Sequence, residues 1–427
     1  MKILLTGATG FIGHHLLATL IQAGHQVTAC VRNPAKLAQL VDDIDFLTMD
    51  YSTAHKVADW LPYVQEVDVV INAVGIIGQT SRQRFSALHT DSPVALFTAC
   101  EQAGVPRIVQ ISALGADATA STEYHQSKYA ADDVLTQMNL HWFIICPSIV
   151  LGEHGKSLGL FNALANLPCI PVINGGRQRI QPIVIDDLVA VVMRCLDTQQ
   201  PGQLIIDAVG SEPIAFADLL QQLRQWQGKA KGRLFSIPLS VAYRLLPLAR
   251  LLDEPALNKE TLRMLESGNT ADAAGITRFL GKAPQGVSDY LLAHPASQAQ
   301  RWHSRLYFLR PLLRLSIALL WIWTGVVSAF LYPQQDSYAL LRQVGISGLM
   351  LPVLLYGAAA IDSLLGLALL LKKCLPQVVY VQTAVIVFYT LIITLALPEY
   401  WFHPYGPVSK NIPLLVATWV LLAMERP

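Results

Sequence analysis

Short apolar runs alternate with helix-length mixed segments over the first half of the chain, and long apolar runs fill its last quarter. Residues 2–5, 26–31, 46–49, 67–71, 107–111 and 141–146 are strand-length and rich in Val, Ile and Leu. Continuous apolar sequence of this kind marks strands buried on both faces. The stretches between them, such as 14–23, are long enough for helices. The pattern therefore predicts an α/β fold with a doubly wound parallel sheet. Residues 213–227 and 259–267 predict two helices of a small substrate subdomain, and 281–284 a turn. Segment 240–252 is very apolar, with Arg244 and Arg250 as its charges. It fits a pocket wall or a helix lying in a bilayer interface, and a pocket wall with some membrane contact is expected. Pro247 should kink or break any helix there.

From about Leu312 the apolar runs reach the length of roughly 20 residues that a helix needs to cross a bilayer. Residues 312–332, 351–371 and 378–397 predict three spans, and 413–424 a shorter fourth that a snorkelling Lys410 could extend back to Val408. Arg301, Arg305, Arg310, Arg314, Lys372, Lys373 and Arg426 fall on one side of these spans, and Arg342 and Lys410 on the other. Seven against two places both termini in the cytoplasm, with the protein in the inner membrane. Tyr400 and Trp401 end the third span as an aromatic belt would. Asp362, near the middle of the second, is either a ligand or proton site or a hydrogen-bonding partner of Gln382 or Thr383. The organisation expected is a Rossmann domain over 1–210, a substrate subdomain and linker over 211–300, and an all-α four-helix transmembrane domain over 301–427.

Composition agrees with a chain in two solvents. Hydrophobic residues make up 53% and charged residues 14%, against about 25% charged in soluble proteins. Mean hydropathy is +0.40. Residues 1–300 carry 22 Lys+Arg and 26 Asp+Glu, a net of −4, and residues 301–427 carry 9 and 4, a net of +5. The total of +1 gives no reason to expect nucleic acid as a partner. The six cysteines have no paired spacing, which argues against a metal site or a disulfide framework.

Chemistry enters at Thr6-Gly7-Ala8-Thr9-Gly10-Phe11-Ile12-Gly13, between the first strand and the first helix. Glycines there permit a tight turn and let backbone N–H groups approach a pyrophosphate at the helix's positive end. The second strand ends in Arg32. An acidic residue at that place would hold the ribose 2′-hydroxyl of NAD(H), whereas Arg suits a 2′-phosphate. NADP(H) is therefore favoured over NAD(H).

The same glycine motif, Asp50, Asn72-Ala73-Val74-Gly75, Ser112 and Tyr124-x-x-x-Lys128 follow one another in an order that resembles an extended or atypical short-chain dehydrogenase/reductase. The likeness covers roughly residues 1–295 and includes Pro147 and Gln181-Pro-Ile-Val-Ile-Asp-Asp-Leu188. Within it, the sequence is most similar to the subgroup of the NADPH-binding accessory subunit of respiratory complex I. The tail, notably Gly406-Pro-Val-Ser-Lys410-Asn411, resembles a DoxX-like membrane domain. The resemblance implies cofactor contacts from Gly7, Thr9, Gly10, Phe11, Ile12, Gly13, Arg32, Asp50, Ala73, Gly75, Lys128 and Pro147. It also implies that Ser112 bonds the substrate oxygen, Tyr124 is the general acid/base and Lys128 reaches the nicotinamide ribose. An ammonium four residues along a helix should lower the tyrosine pKa.

Two positions depart from the pattern. His89 lies in the segment 88–91 where relatives carry Asn, and Cys146 stands where extended members carry Arg. Arg177 and Arg179 fit either a substrate phosphate or a solvated loop. The leading expectation is a membrane-anchored NADP(H)-dependent reductase or dehydrogenase of a hydrophobic, lipid or quinone-like substrate. The alternatives are a non-catalytic NADPH-binding assembly factor or redox sensor of a membrane protein complex, and a nucleotide-sugar epimerase or dehydratase.

Overall fold

In a computed structural model, the structure describes residues 1–34, 44–153, 155–249, 257–372 and 374–425. Arg250, Lys373 and Arg426, together with the end of segment 240–252, lie outside them. The chain divides into two compact units, Met1–Ser304 and Arg305–Pro427.

The first unit is built on seven parallel strands: β1 (Lys2–Thr6), β2 (Gln26–Val31), β3 (Asp45–Thr48), β4 (Val69–Asn72), β5 (Arg107–Ile111), β6 (His141–Pro147) and β7 (Leu204–Ala208). Their spatial order is β7-β6-β5-β4-β1-β2-β3. The order in which strands are added reverses beside β1, which pairs in parallel with β2 on one side and β4 on the other. Ligands bind at such a switch point in doubly wound sheets, beyond the carboxyl ends of the strands. Six of these strands match the apolar runs to within two residues at either end. β7, an edge strand, offers only Leu204-Ile-Ile206 before Asp207, too short an apolar run to stand out.

Helices cover both faces. α1 (Phe11–Gln22) and α5 (Ile185–Cys195) pack one face through Leu16, Leu17, Leu20, Leu188 and Val192. α2 (Val57–Val64), α3 (Ser92–Ala103) and α4 (Glu123–Thr136) cover the other around Trp60, Leu96 and Phe97. A smaller subdomain pairs strand Arg233–Ile237 with strand Cys169–Ile173, and helix Phe216–Trp226 supplies its core through Leu219, Leu220 and Leu223. Helix Lys259–Ser267 forms where the sequence places it. Helix Leu239–Ala249 runs through Pro247. No break is seen at the proline among the described residues.

The second unit is helical. Leu309–Leu331, Met350–Leu371 and Leu375–Ala396 are long and apolar enough to cross a membrane. The expected fourth span is a helix of 15 residues, Asn411–Glu425. It starts at Asn411, so Val408 does not extend it, and it is shorter than the other three. Arg314 at the start of the first helix and Glu425 at the end of the last form a buried pair, Nη1 to Oε1 2.8 Å. Gly325 and Gly366 set the first two helices in close contact. A Cβ on Gly325 would meet Ser363 and Ala359, and one on Gly366 would meet Ala318 and Ile322. Asp362 is buried, yet no hydrogen bond joins it to Gln382 or Thr383 among the described residues; Thr383 bonds Val379 instead.

Candidate active site

The turn after β1 is closed by backbone contact. Gly7 has φ +74°, and a Cβ there would lie 2.7 Å from the Ala73 carbonyl. The Gly10 N–H donates to the Gly7 carbonyl at 2.8 Å. A Cβ on Gly13 would come within 2.1 Å of the same oxygen, so α1 starts against the turn only because residue 13 has no side chain. Gly10 precedes α1 without a side-chain cap. The first-turn amides of Phe11, Ile12 and Gly13 have no intrahelical acceptors. An uncapped, glycine-lined helix start fits a pyrophosphate, with Thr9 exposed at its rim. The Phe11 ring lies against Gly152 and Gly155, where a Cβ would approach it to 2.9 and 3.3 Å. These two glycines were not singled out from the sequence. Their spacing after β6 is the signal that could have shown them.

Arg32 is exposed at the end of β2. The neighbouring Asp50 is held below the usual carboxylate range: burial would raise it, but bonds from Ser52 and the charge of Arg32 outweigh that. Ala73 donates its N–H to Thr6 at 3.3 Å, and the Pro147 carbonyl accepts from Leu114 at 3.0 Å. Both fix backbone at the strand ends. Gly75 faces the Lys128 ammonium, with a Cβ position 3.4 Å from Nζ.

Thr122 caps α4, and its hydroxyl accepts the His125 N–H. Tyr124, Lys128 and Asp132 then recur four apart on one side of the helix. Lys128 Nζ donates to the Val74 carbonyl at 3.1 Å and the Ile111 carbonyl at 2.9 Å. Burial lowers its pKa to about 8, against the raising effect of Asp132 and Cys146. The Ser112 hydroxyl donates to Asp132. Asp132 is pushed up to about 6 by burial, opposed by Ser112, Lys128 and Gln110.

Behind Asp132 a chain of side chains crosses the sheet in register, Thr6 beside Asn72 and Asn72 beside Gln110. Gln110 donates to Asp132 at 3.3 Å, Asn72 to Gln110 at 2.7 Å, and Thr6 and Tyr51 to Asn72 at 2.6 and 3.0 Å. All are buried. Buried polar networks that are satisfied in this way specify one arrangement.

Three outcomes differ from expectation. Tyr124 is not activated toward phenolate: burial, then the charge of Asp132, pushes it up to about 12. Lys128 directs its protons to backbone carbonyls rather than to the phenol. Ser112 commits its proton to Asp132, which leaves its oxygen as an acceptor. His89 is buried, and its Nε2 accepts the Ile76 N–H at 3.1 Å, so Nδ1 carries the hydrogen toward Ser127 at 2.9 Å. Burial, with Lys128, lowers its pKa to about 2. A neutral ring with both nitrogens engaged cannot relay a proton. It packs edge-on to Tyr124, 5.4 Å between centroids. No described residue bonds the Tyr124 hydroxyl. Arg179 donates to the Pro213 carbonyl at 2.7 Å and Arg177 is exposed.

The electrostatics set a pH dependence. Lys128 is charged below about pH 8 and neutral above it, so carbonyl reduction that relies on its ammonium should fall as pH rises through about 8. A flat kcat/KM profile from pH 7 to 9 would show that the ammonium is not needed.

Residues 7–162 match the NAD(P)H-binding family model, and residues 318–419 match the DoxX-like family. The chain joins an NAD(P)H-binding domain of short-chain dehydrogenase/reductase type to a DoxX-like domain. It is 27% identical over 236 residues to the ceramide reductase of Caulobacter vibrioides, covering 55% of this chain and 73% of that protein. It is 26% identical over 197 residues to the mitochondrial NADH dehydrogenase [ubiquinone] 1 alpha subcomplex subunit 9 of Arabidopsis thaliana, covering 44% and 48%. This chain thus spans about half the length of that second relative. The NADPH-dependent quinone oxidoreductase QOR2 of Escherichia coli, solved with NADPH, shares the fold at a TM-score of 0.54 and 20% identity, over 68% of this chain and 99% of that one.

Proposed function

We propose that the protein is a membrane-anchored, NADP(H)-dependent reductase that transfers hydride to the carbonyl of a hydrophobic, lipid or quinone-like substrate. The observation that carries this reading is the unbonded Tyr124 hydroxyl on the helix that aims Lys128 at Gly75, beside the glycine cradle. When bound, the dinucleotide supplies the hydride. Tyr124, a phenol at neutral pH, supplies the proton to the substrate oxygen. Lys128 would stabilise the negative charge left behind, and the Ser112 oxygen, its proton held by Asp132, would accept a hydrogen bond from the hydroxyl so formed. Ceramide reductase among the relatives supports a long-chain lipid substrate, and the apolar helices support a bilayer location. The Arg314–Glu425 pair supports both ends of the second unit lying on one side, and the distribution of basic residues supports the cytoplasmic side.

Arg32 supports NADP(H) over NAD(H). Losing a charge-assisted bond to a 2′-phosphate costs roughly 1.5–3 kcal/mol. Arg32→Ala is therefore expected to weaken NADPH binding about ten- to a hundredfold and to leave NADH nearly unchanged. Equal losses for the two nucleotides in a fluorescence titration would overturn the preference.

The likeness to a complex I subunit, with Ser112 held by Asp132, favours a second reading in which the protein binds NADPH without turnover. Full-length protein in lipid nanodiscs, given NADPH with long-chain keto lipids or quinones, separates the two. Oxidation of NADPH supports the first, and tight retention without oxidation supports the second.

A further inference from the structure

Residues 229–249 stand apart from the unit that holds them. They carry Lys229, Lys231, Arg233 and Arg244 and no acidic residue, in a unit with a net charge of −4 over residues 1–300. The strand Arg233–Ile237 is an edge strand, exposed from Arg233 to Ser236, with Phe235 61% accessible. Helix Leu239–Ala249 turns Ser240, Val241, Arg244 and Leu245 outward, one turn apart in pairs, with Val241 38% and Leu245 45% accessible. Large side chains are left in water here although the subdomain core beside them, around Leu219 and Leu220, is closed. Phe235, Val241 and Leu245, flanked by Arg233 and Arg244 in a segment with no acidic residue of its own, match one environment, the headgroup boundary of an anionic bilayer; Lys231, at the edge of this ridge, also lines a cleft with Glu212 and Asp218.

We infer that the strand and helix between Arg233 and Ala249 form a second membrane contact, in which Phe235, Val241 and Leu245 enter the lipid interface and Lys231, Arg233 and Arg244 meet anionic headgroups. The occupant is a bilayer because the same chain carries three helices able to span one. The outer face of the helix is exposed, so the membrane contact expected of this segment falls there. The contact holds the subdomain at the surface where a lipid substrate resides, and it rests on the reading of the C-terminal unit as membrane-embedded.

The test uses full-length protein in nanodiscs of phosphatidylcholine and phosphatidylglycerol, three to one. Cys169 and Cys374, the exposed thiols, are replaced by Ser, and single nitroxide labels are placed at 235, 241, 245, 330 and 205. Labels at 235, 241 and 245 should be relaxed more strongly by oxygen than by a water-soluble nickel chelate. The label at 205, on the exposed edge of β7, should show the reverse. An aqueous signature at 241 and 245, with 330 in lipid, overturns this contact alone. An aqueous signature at 330 overturns the membrane reading and the contact with it.

Discussion

Tyr124→Phe is expected to lower carbonyl reduction by about a hundredfold to ten-thousandfold, the range that a positioned general acid contributes, with NADPH affinity unchanged within about twofold. The substitution removes one oxygen and keeps the ring, so the edge contacts with Phe85 and His89 survive. Since no described residue bonds that hydroxyl, no buried partner is orphaned, and the fold should lose little. The effect falls on the chemical step because the proton is in place before reaction. At about 12, the phenol is fully protonated near neutrality and donates as the substrate oxygen gains charge. Stopped-flow oxidation of NADPH, paired with a nucleotide binding titration, reads both halves. Unchanged turnover would remove Tyr124 from the mechanism. A parallel loss of binding would mean that the ring position, not the proton, had been disturbed.

The parts of this site that the sequence showed are those where residue type and backbone demand coincide. Gly7 and Gly13 occupy places that a Cβ would fill with carbonyl oxygen, and such constraints are local, so a short motif carries them. Tyr124 and Lys128 are legible through helical spacing for the same reason. The network behind them was not legible. Thr6, Asn72 and Gln110 are neighbours only because β1, β4 and β5 lie side by side in register, and no linear pattern states strand order. Asp132 had a usable signal, one further step of four along the inward face of α4, but a carboxyl buried there makes sense only once Gln110 and Ser112 are seen to bond it. Burial is the main reason the simple expectation for the Tyr–Lys pair fails, since it raises the phenol and lowers the ammonium; the charge of Asp132 raises the phenol further. In the membrane unit, hydropathy marks the three long helices and Asn411–Glu425 but not the polar helix Gln334–Gln343, and where Asn411–Glu425 begins depends on the backbone ahead of it.

Gly13→Ala should be the most damaging single change in the nucleotide cradle. The added Cβ would lie 2.1 Å from the Gly7 oxygen, 2.7 Å from its carbonyl carbon and 3.0 Å from the Ala8 Cα. All three are backbone atoms, so no side chain can swing aside. Either α1 retreats from β1 or the Gly7 turn opens. The first breaks the packing of Leu16, Leu17 and Leu20 against the sheet, and the second withdraws the turn from the phosphates. Overpacking of this kind costs typically 1–3 kcal/mol and sometimes more, and a displaced helix start should weaken NADPH binding by at least about a hundredfold. Gly24→Ala is the matched control. Unlike Gly13 it has positive φ, +77°, and no atom lies within 4 Å of its Cβ position. That variant should lose only about 1–2 kcal/mol of backbone strain and bind NADPH as the unmodified chain does. Thermal unfolding with and without NADPH distinguishes the two. If Gly13→Ala retains a nucleotide-induced rise in melting temperature equal to that of Gly24→Ala, the close approach of α1 to the turn is not what binds the dinucleotide.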